Sequence, residues 1–153
     1  MFKAIVRLYI IHLSAIPAIA FSMYFPGLDL LLALLYLFLI WLEGLRVNHV
    51  LSPLEQAVSG FLWQLPSVLL VLAVIWEWDL SLNLSYYLIF IMQIWQTPIL
   101  PFISLVPTWI INARPFYYYL LLVAGPLMIL FYTAPAYKGS LLGRDDKKMN
   151  PLA

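Results

Sequence analysis

The chain has 153 residues, of which 65% are hydrophobic and only 10% charged, and its formal net charge is +1. A soluble domain of this length is about half apolar and a quarter charged, so the excess calls for a lipid environment, and the near-zero charge gives no electrostatic reason to expect nucleic acid. With no cysteine in the chain, disulfides, thiolate metal ligands and thiol nucleophiles are excluded.

The first apolar segment covers about residues 2–25. Lys3 and Arg7 ahead of it imitate a secretory signal, but the run from Leu8 to Phe25 exceeds a usual signal core, so a retained span is expected. His12 lies a few turns in. Ser14, Ala18 and Ser22 repeat every four residues, a spacing that lets two membrane helices approach closely. A Pro26-Gly27 break follows, with Asp29 as a candidate N-cap.

The second span, about 28–45, is rich in leucine and has no polar stripe. Glu43 and Arg46, three apart at its end, can pair on one helix face. Ser52-Pro53-Leu54-Glu55 then carries the signature of a helix start: a serine cap, proline in the first position and glutamate in the third. The third span runs over about 54–78, with Gly60, Gln64 and Ser67 on one face beside Pro66. Glu77 and Asp79 make the next connection acidic.

The fourth segment, about 86–111, is the one around which the others are expected to pack. Gln93, Gln96, Thr97, Ser104 and Thr108 fall within roughly 120° of a helix circumference, among prolines at 98, 101 and 107. A polar stripe in a membrane should face protein or enclosed water, because unpaired polar groups are costly in hydrocarbon. A turn at Asn112–Pro115 leads into the fifth span, about 116–134, and residues 135–153 form a polar tail. The expected fold is all-α: a polytopic integral membrane helix bundle of five spans.

The positive-inside tendency puts the N-terminus in the cytoplasm together with Arg46 and the Arg114 turn. Five spans would then export a tail holding Lys138, Arg144, Lys147 and Lys148, which conflicts with the same tendency. A fourth segment that enters and returns at its prolines would remove the conflict. Its length of about 26 residues is too short for two full crossings, so five spans are the expectation.

Few residues could carry chemistry. No nucleotide-binding, zinc-protease or nucleophile-elbow motif occurs, and the two histidines, His12 and His49, make no metal ligand set with Glu43 and Glu55. No cofactor or metal is expected, and no catalytic residue can be assigned. His12 reads first as an interhelical hydrogen bond and second as a proton or substrate contact. The aromatic residues read as interfacial belts, with Trp41, Trp63, Trp109 and Tyr117–Tyr119 on one side.

Gln93, Gln96, Thr97, Ser104, Thr108, Gln64 and His12 are therefore the candidate substrate or interhelical polar contacts. Ser14, Ala18, Ser22, Gly60 and Ser67 are the candidate packing residues. The expected partners are the lipid bilayer and either another membrane protein or a second copy, in the plasma membrane. The functional expectation is a non-catalytic accessory or scaffold subunit of a membrane complex. The alternative is a small transporter or channel-like carrier built on the fourth segment.

Overall fold

The computed structural model describes residues 1–76, 85–107, 109–111 and 114–149. Thr108, Glu77 and Asp79 lie outside them. The elements are α1 (Phe2–Ser22), α2 (Leu28–Val47), α3 (Pro53–Ile75), α4 (Ser85–Gln96), α5 (Leu100–Ile103), a two-residue antiparallel pair β1 (Ile110–Ile111) and β2 (Arg114–Pro115), and α6 (Phe116–Met149). The chain is an all-α bundle. Four of its helices are long and apolar enough to cross a membrane: α1, α2, α3 and the Phe116–Ala136 portion of α6.

Local chemistry sets the boundaries. Gly27 holds φ +85° at the N-cap of α2, a left-handed conformation that costs any residue with a Cβ. Asp29 therefore sits inside the first turn, where its charge still suits the helix dipole, and not at the cap. The capping box of α3 forms as its sequence dictates. Ser52 Oγ accepts from the Glu55 N–H at 3.3 Å, and the Ser52 N–H donates to Glu55 Oε2 at 2.9 Å.

Side-chain contacts fix the direction of each helix. Arg7 pairs with Glu43 and His12 with Tyr36, so α1 and α2 are antiparallel. Tyr132 packs on Gly60, Gly125 lies against Val68, and Tyr118 and Leu121 cluster with Val71 and Val74. The numbers fall along α6 as they rise along α3, so these two are also antiparallel. We call the end of the bundle holding Phe2, Val47 and Pro53 the near end, and the other the far end.

The expected fourth span is not one helix. Pro98 has no N–H to continue α4, and Ile99 bonds back to Gln96 at 2.8 Å, so the helix stops after 12 residues. That length reaches about 18 Å, short of the roughly 30 Å hydrocarbon core. After α5, Val106-Pro107 and the β1–β2 pair lead the chain to Phe116 at the far end. The segment enters from the far end, turns within the bundle beside Ser67 and His12, and goes back.

Two expectations change as a result. The Arg114 turn lies at the far end, opposite the N-terminus, because α6 starts there. The chain after Ala136 leaves from the near end, where Asn48 Nδ2 donates to the Pro135 carbonyl at 3.3 Å. Seven of the eight Lys and Arg residues thus belong to segments at or following the near end: Lys3, Arg7, Arg46, Lys138, Arg144, Lys147 and Lys148.

The core lies along α1, α2, α3 and α6, with Met92 of α4 joining it. Leu8, Ile40, Trp63, Val71, Met92, Leu121 and Tyr132 are all at most 1% exposed. Trp63 is a core residue and not part of an interfacial belt. Its neighbours are the His12 ring and the partly buried α1–α2 interface.

Candidate functional site

His12 is the centre of the buried polar structure, at 1% exposure. Its Nε2 lies 3.0 Å from the Trp95 carbonyl and its Nδ1 2.8 Å from the Tyr36 hydroxyl. A carbonyl can only accept, so Nε2 carries the proton; Nδ1 is then free to accept from the Tyr36 O–H, which fixes the neutral tautomer. The rings of Trp95 and Trp63 stand 4.7 and 6.0 Å from the imidazole.

The Trp95 carbonyl is available because of Pro98. In a continuous helix it would accept from the Ile99 N–H, four residues on. That N–H is turned to Gln96, and His12 replaces it. The proline break and the histidine are thus two halves of one contact, supplied by segments far apart in sequence. Gln96, 1% exposed, donates through Nε2 to Ser67 Oγ at 2.6 Å and ties the same turn to α3.

The remaining predicted residues divide between the inside and the outside. Thr97 is buried and donates to the Gln93 carbonyl at 3.1 Å, satisfying the helix end locally. Gln64 is buried with its Oε1 near Gly125, while its Nε2 has no protein partner among the described residues. Trp63 Nε1 and Trp95 Nε1 are likewise buried donors without acceptors. Gln93 and Ser104 are exposed, and both line an open cleft of about 450 Å³ between α4–α5 and the start of α6, together with Trp109 and Tyr117. The stripe expected on one helix face is therefore split by the turn: Gln96 and Thr97 point inward, Gln93 and Ser104 outward.

The small-residue set on α1 also divides. Ser22 is buried and bonds to the Ile19 carbonyl at 2.7 Å. Ser14 and Ala18 are exposed, lining a groove of about 280 Å³ against α2. The buried face of α1 is Ala4, Leu8, His12 and Ile19 instead. Gly60 does serve close packing, against the Tyr132 ring.

A second polar group, missed in the sequence, closes the near end. Glu43 is only 6% exposed and accepts from Arg7 Nε at 2.6 Å, in place of the expected Glu43–Arg46 pair. Arg46 is exposed and points elsewhere. Gln56, fully buried, donates through one Nε2 to the carbonyls of Gly44 at 3.2 Å and Tyr132 at 2.8 Å. This cross-link is possible because Gly44 lets the α6 backbone come against α2: a Cβ there would overlap the Tyr132 carbonyl. The Ser52-x-x-Glu55 motif, with Gln56 one step on, was the available signal, since the cap fixes which face Gln56 presents.

Among the described residues no group of three or more His, Asp or Glu is placed to hold a metal. Comparison with protein families, curated proteins and solved structures finds no match to this chain.

Proposed function

We propose that the protein is a non-catalytic accessory or scaffold subunit of a membrane complex, in the plasma membrane, with its near end in the cytoplasm. The orientation rests on the seven basic residues in segments at or following that end, which the positive-inside tendency retains on the cytoplasmic face.

One observation carries the functional reading: Gln93 lies on α4, which packs beside the candidate spans α3 and α6, with its side chain exposed. A primary amide in contact with acyl chains is costly, so the cleft beside it suits a neighbouring transmembrane protein that returns the hydrogen bonds. The inner polar groups work differently. Both ring nitrogens of His12 bond to groups of the protein itself, which suits a structural contact between segments. Gln96, Ser67 and Gln56 hold helices together in the same way. Gentle purification from its native membrane tests the reading. Stoichiometric proteins should co-purify with the wild-type chain and be lost from Gln93→Leu; a solitary, monodisperse chain would overturn it.

A second reading, a small carrier, draws on a different observation. Among the described residues, Gln64, Trp63 and Trp95 carry buried donors without acceptors, and the two tryptophan rings flank His12, which bonds to the turn at which the re-entrant segment reverses. Interrupted helices at this depth are where transporters place substrates. Ligand-dependent stabilisation of the lone chain, abolished by Gln64→Leu, would favour it.

A further inference from the structure

At the near end, the first turns of α1, the last turn of α2 and the connection into α3 enclose a cavity of about 590 Å³. Three cationic side chains line it, Lys3, Arg7 and Arg46, together with the apolar residues Phe2, Val50 and Leu51. The carboxylates nearest in the fold do not cancel them. Glu43 engages Arg7 through Nε alone, leaving the terminal guanidinium nitrogens unused by that bond. Glu55 is turned to Ser52. Among the lining side chains, Lys3, Arg7 and Arg46 thus meet one paired carboxylate, Glu43, and the cavity is positive on balance.

The depth and the rim are informative. Lys3 and Arg7 belong to the first two turns of one candidate span and Arg46 to the last turn of the next, the end at which a spanning helix meets lipid headgroups. Phe2 is 76% exposed and Val50 81%, side by side with the charges. A free anion would use the cations and gain nothing from this rim. An amphiphile uses both: its phosphate meets the cations while its glycerol and upper acyl carbons cover Phe2 and Val50.

We propose that this cavity is a binding site for the phosphate headgroup of an anionic membrane phospholipid. Arg46 and Lys3 contact the phosphate oxygens, and the terminal nitrogens of Arg7 close the site from the α1 side. Arginine's planar donor fork suits two phosphate oxygens at once. The site is independent of the subunit and carrier readings, since neither Gln93 nor any residue of the re-entrant turn lines it.

The test uses the full chain in neutral maltoside micelles, supplied with phosphatidylglycerol, phosphatidylcholine or inorganic phosphate. Native mass spectrometry reads retained lipid, and thermal melting reads stabilisation. Phosphatidylglycerol should be retained and should raise the melting temperature more than phosphatidylcholine does. Arg46→Gln and Lys3→Gln should each weaken retention roughly fivefold, the scale for one basic residue at an anionic surface; both side chains are exposed, so folding is spared. Arg46→Lys should recover most of the loss. Equal retention of the two lipids overturns the proposal. So does an Arg46→Gln chain whose selectivity returns when Leu54→Lys restores the charge outside the cavity, because net surface charge would then suffice. Inorganic phosphate matching phosphatidylglycerol would assign the cavity to a free anion and reject the lipid.

Discussion

His12 and Trp95, 83 residues apart, are joined by a 3.0 Å hydrogen bond from an imidazole nitrogen to a main-chain carbonyl. The bond exists because Pro98 stops α4 and takes that carbonyl out of the helical ladder. It holds the re-entrant segment against the first helix, and the Gln96–Ser67 bond holds it against the third.

Replacing His12 by Leu strands both the Trp95 carbonyl and the Tyr36 hydroxyl in a buried site. The expected cost is about 1–2 kcal/mol, near the upper end for polar contacts between membrane helices. Tyr36→Phe removes only one of the two bonds and should cost less. Thermal or denaturant unfolding in detergent checks the order; equal losses would mean that the Trp95 bond contributes nothing.

Gly44 and Gly60 both face Tyr132, but with different partners. A Cβ at Gly44 meets the α6 backbone, which cannot yield without moving the helix, whereas one at Gly60 meets the Tyr132 ring at 3.1 Å. Gly44→Ala should therefore destabilise by about 2–3 kcal/mol and Gly60→Ala by about 1 kcal/mol. The Gln56 cross-link would break in the first variant only. Comparing the two variants in the Gln56→Leu background measures that coupling, since the Gly44 effect should shrink there and the Gly60 effect should not.

Single cysteines report topology without background, because the chain has none of its own. Leu54→Cys at the near end and Ser140→Cys beyond Ala136 should be labelled from the same side of the membrane by an impermeant reagent. Tyr24→Cys, 83% exposed beside the α1–α2 turn, should be labelled from the other. Opposite labelling of positions 54 and 140 would restore five crossings and remove the re-entrant segment.

Gln93→Leu and Gln96→Leu separate a structural amide from an outward-facing one. Gln96→Leu loses the bond to Ser67 and should cost about 1 kcal/mol in the isolated chain. Gln93→Leu should leave the isolated chain as stable as wild type, or slightly more so, and should reduce association with co-purifying membrane proteins. If both variants lower stability alike, the outer face is not a contact surface.

The all-α bundle of long apolar helices and the α3 cap could be read directly from residues, because each follows from local composition or spacing. The prolines at 98 and 101 marked the place of interruption too. They could not reveal that the chain turns back there, since that depends on His12 accepting the role of the missing N–H. Nor does a three-residue spacing of opposite charges tell which partner wins: Glu43 was in reach of Arg46 on its own helix, but Arg7 on the neighbouring helix takes it. The small residues of α1 misled for a related reason. Ser14 and Ala18 describe a face that could admit a neighbour, while the bulk of Leu8 and Ile19 determined which face was used within the chain.

The re-entrant segment also orders events in time. A helix of 12 residues cannot partition stably on its own, and its open carbonyl has no partner until α1 stands beside it. The spanning helices must therefore be seated before α4 can settle among them, so insertion and tertiary assembly overlap for this stretch, which waits on a side chain that precedes it by more than eighty residues. A defect in α1 would then show itself first as proteolytic exposure of the segment around Pro98, well before the four long helices themselves came apart.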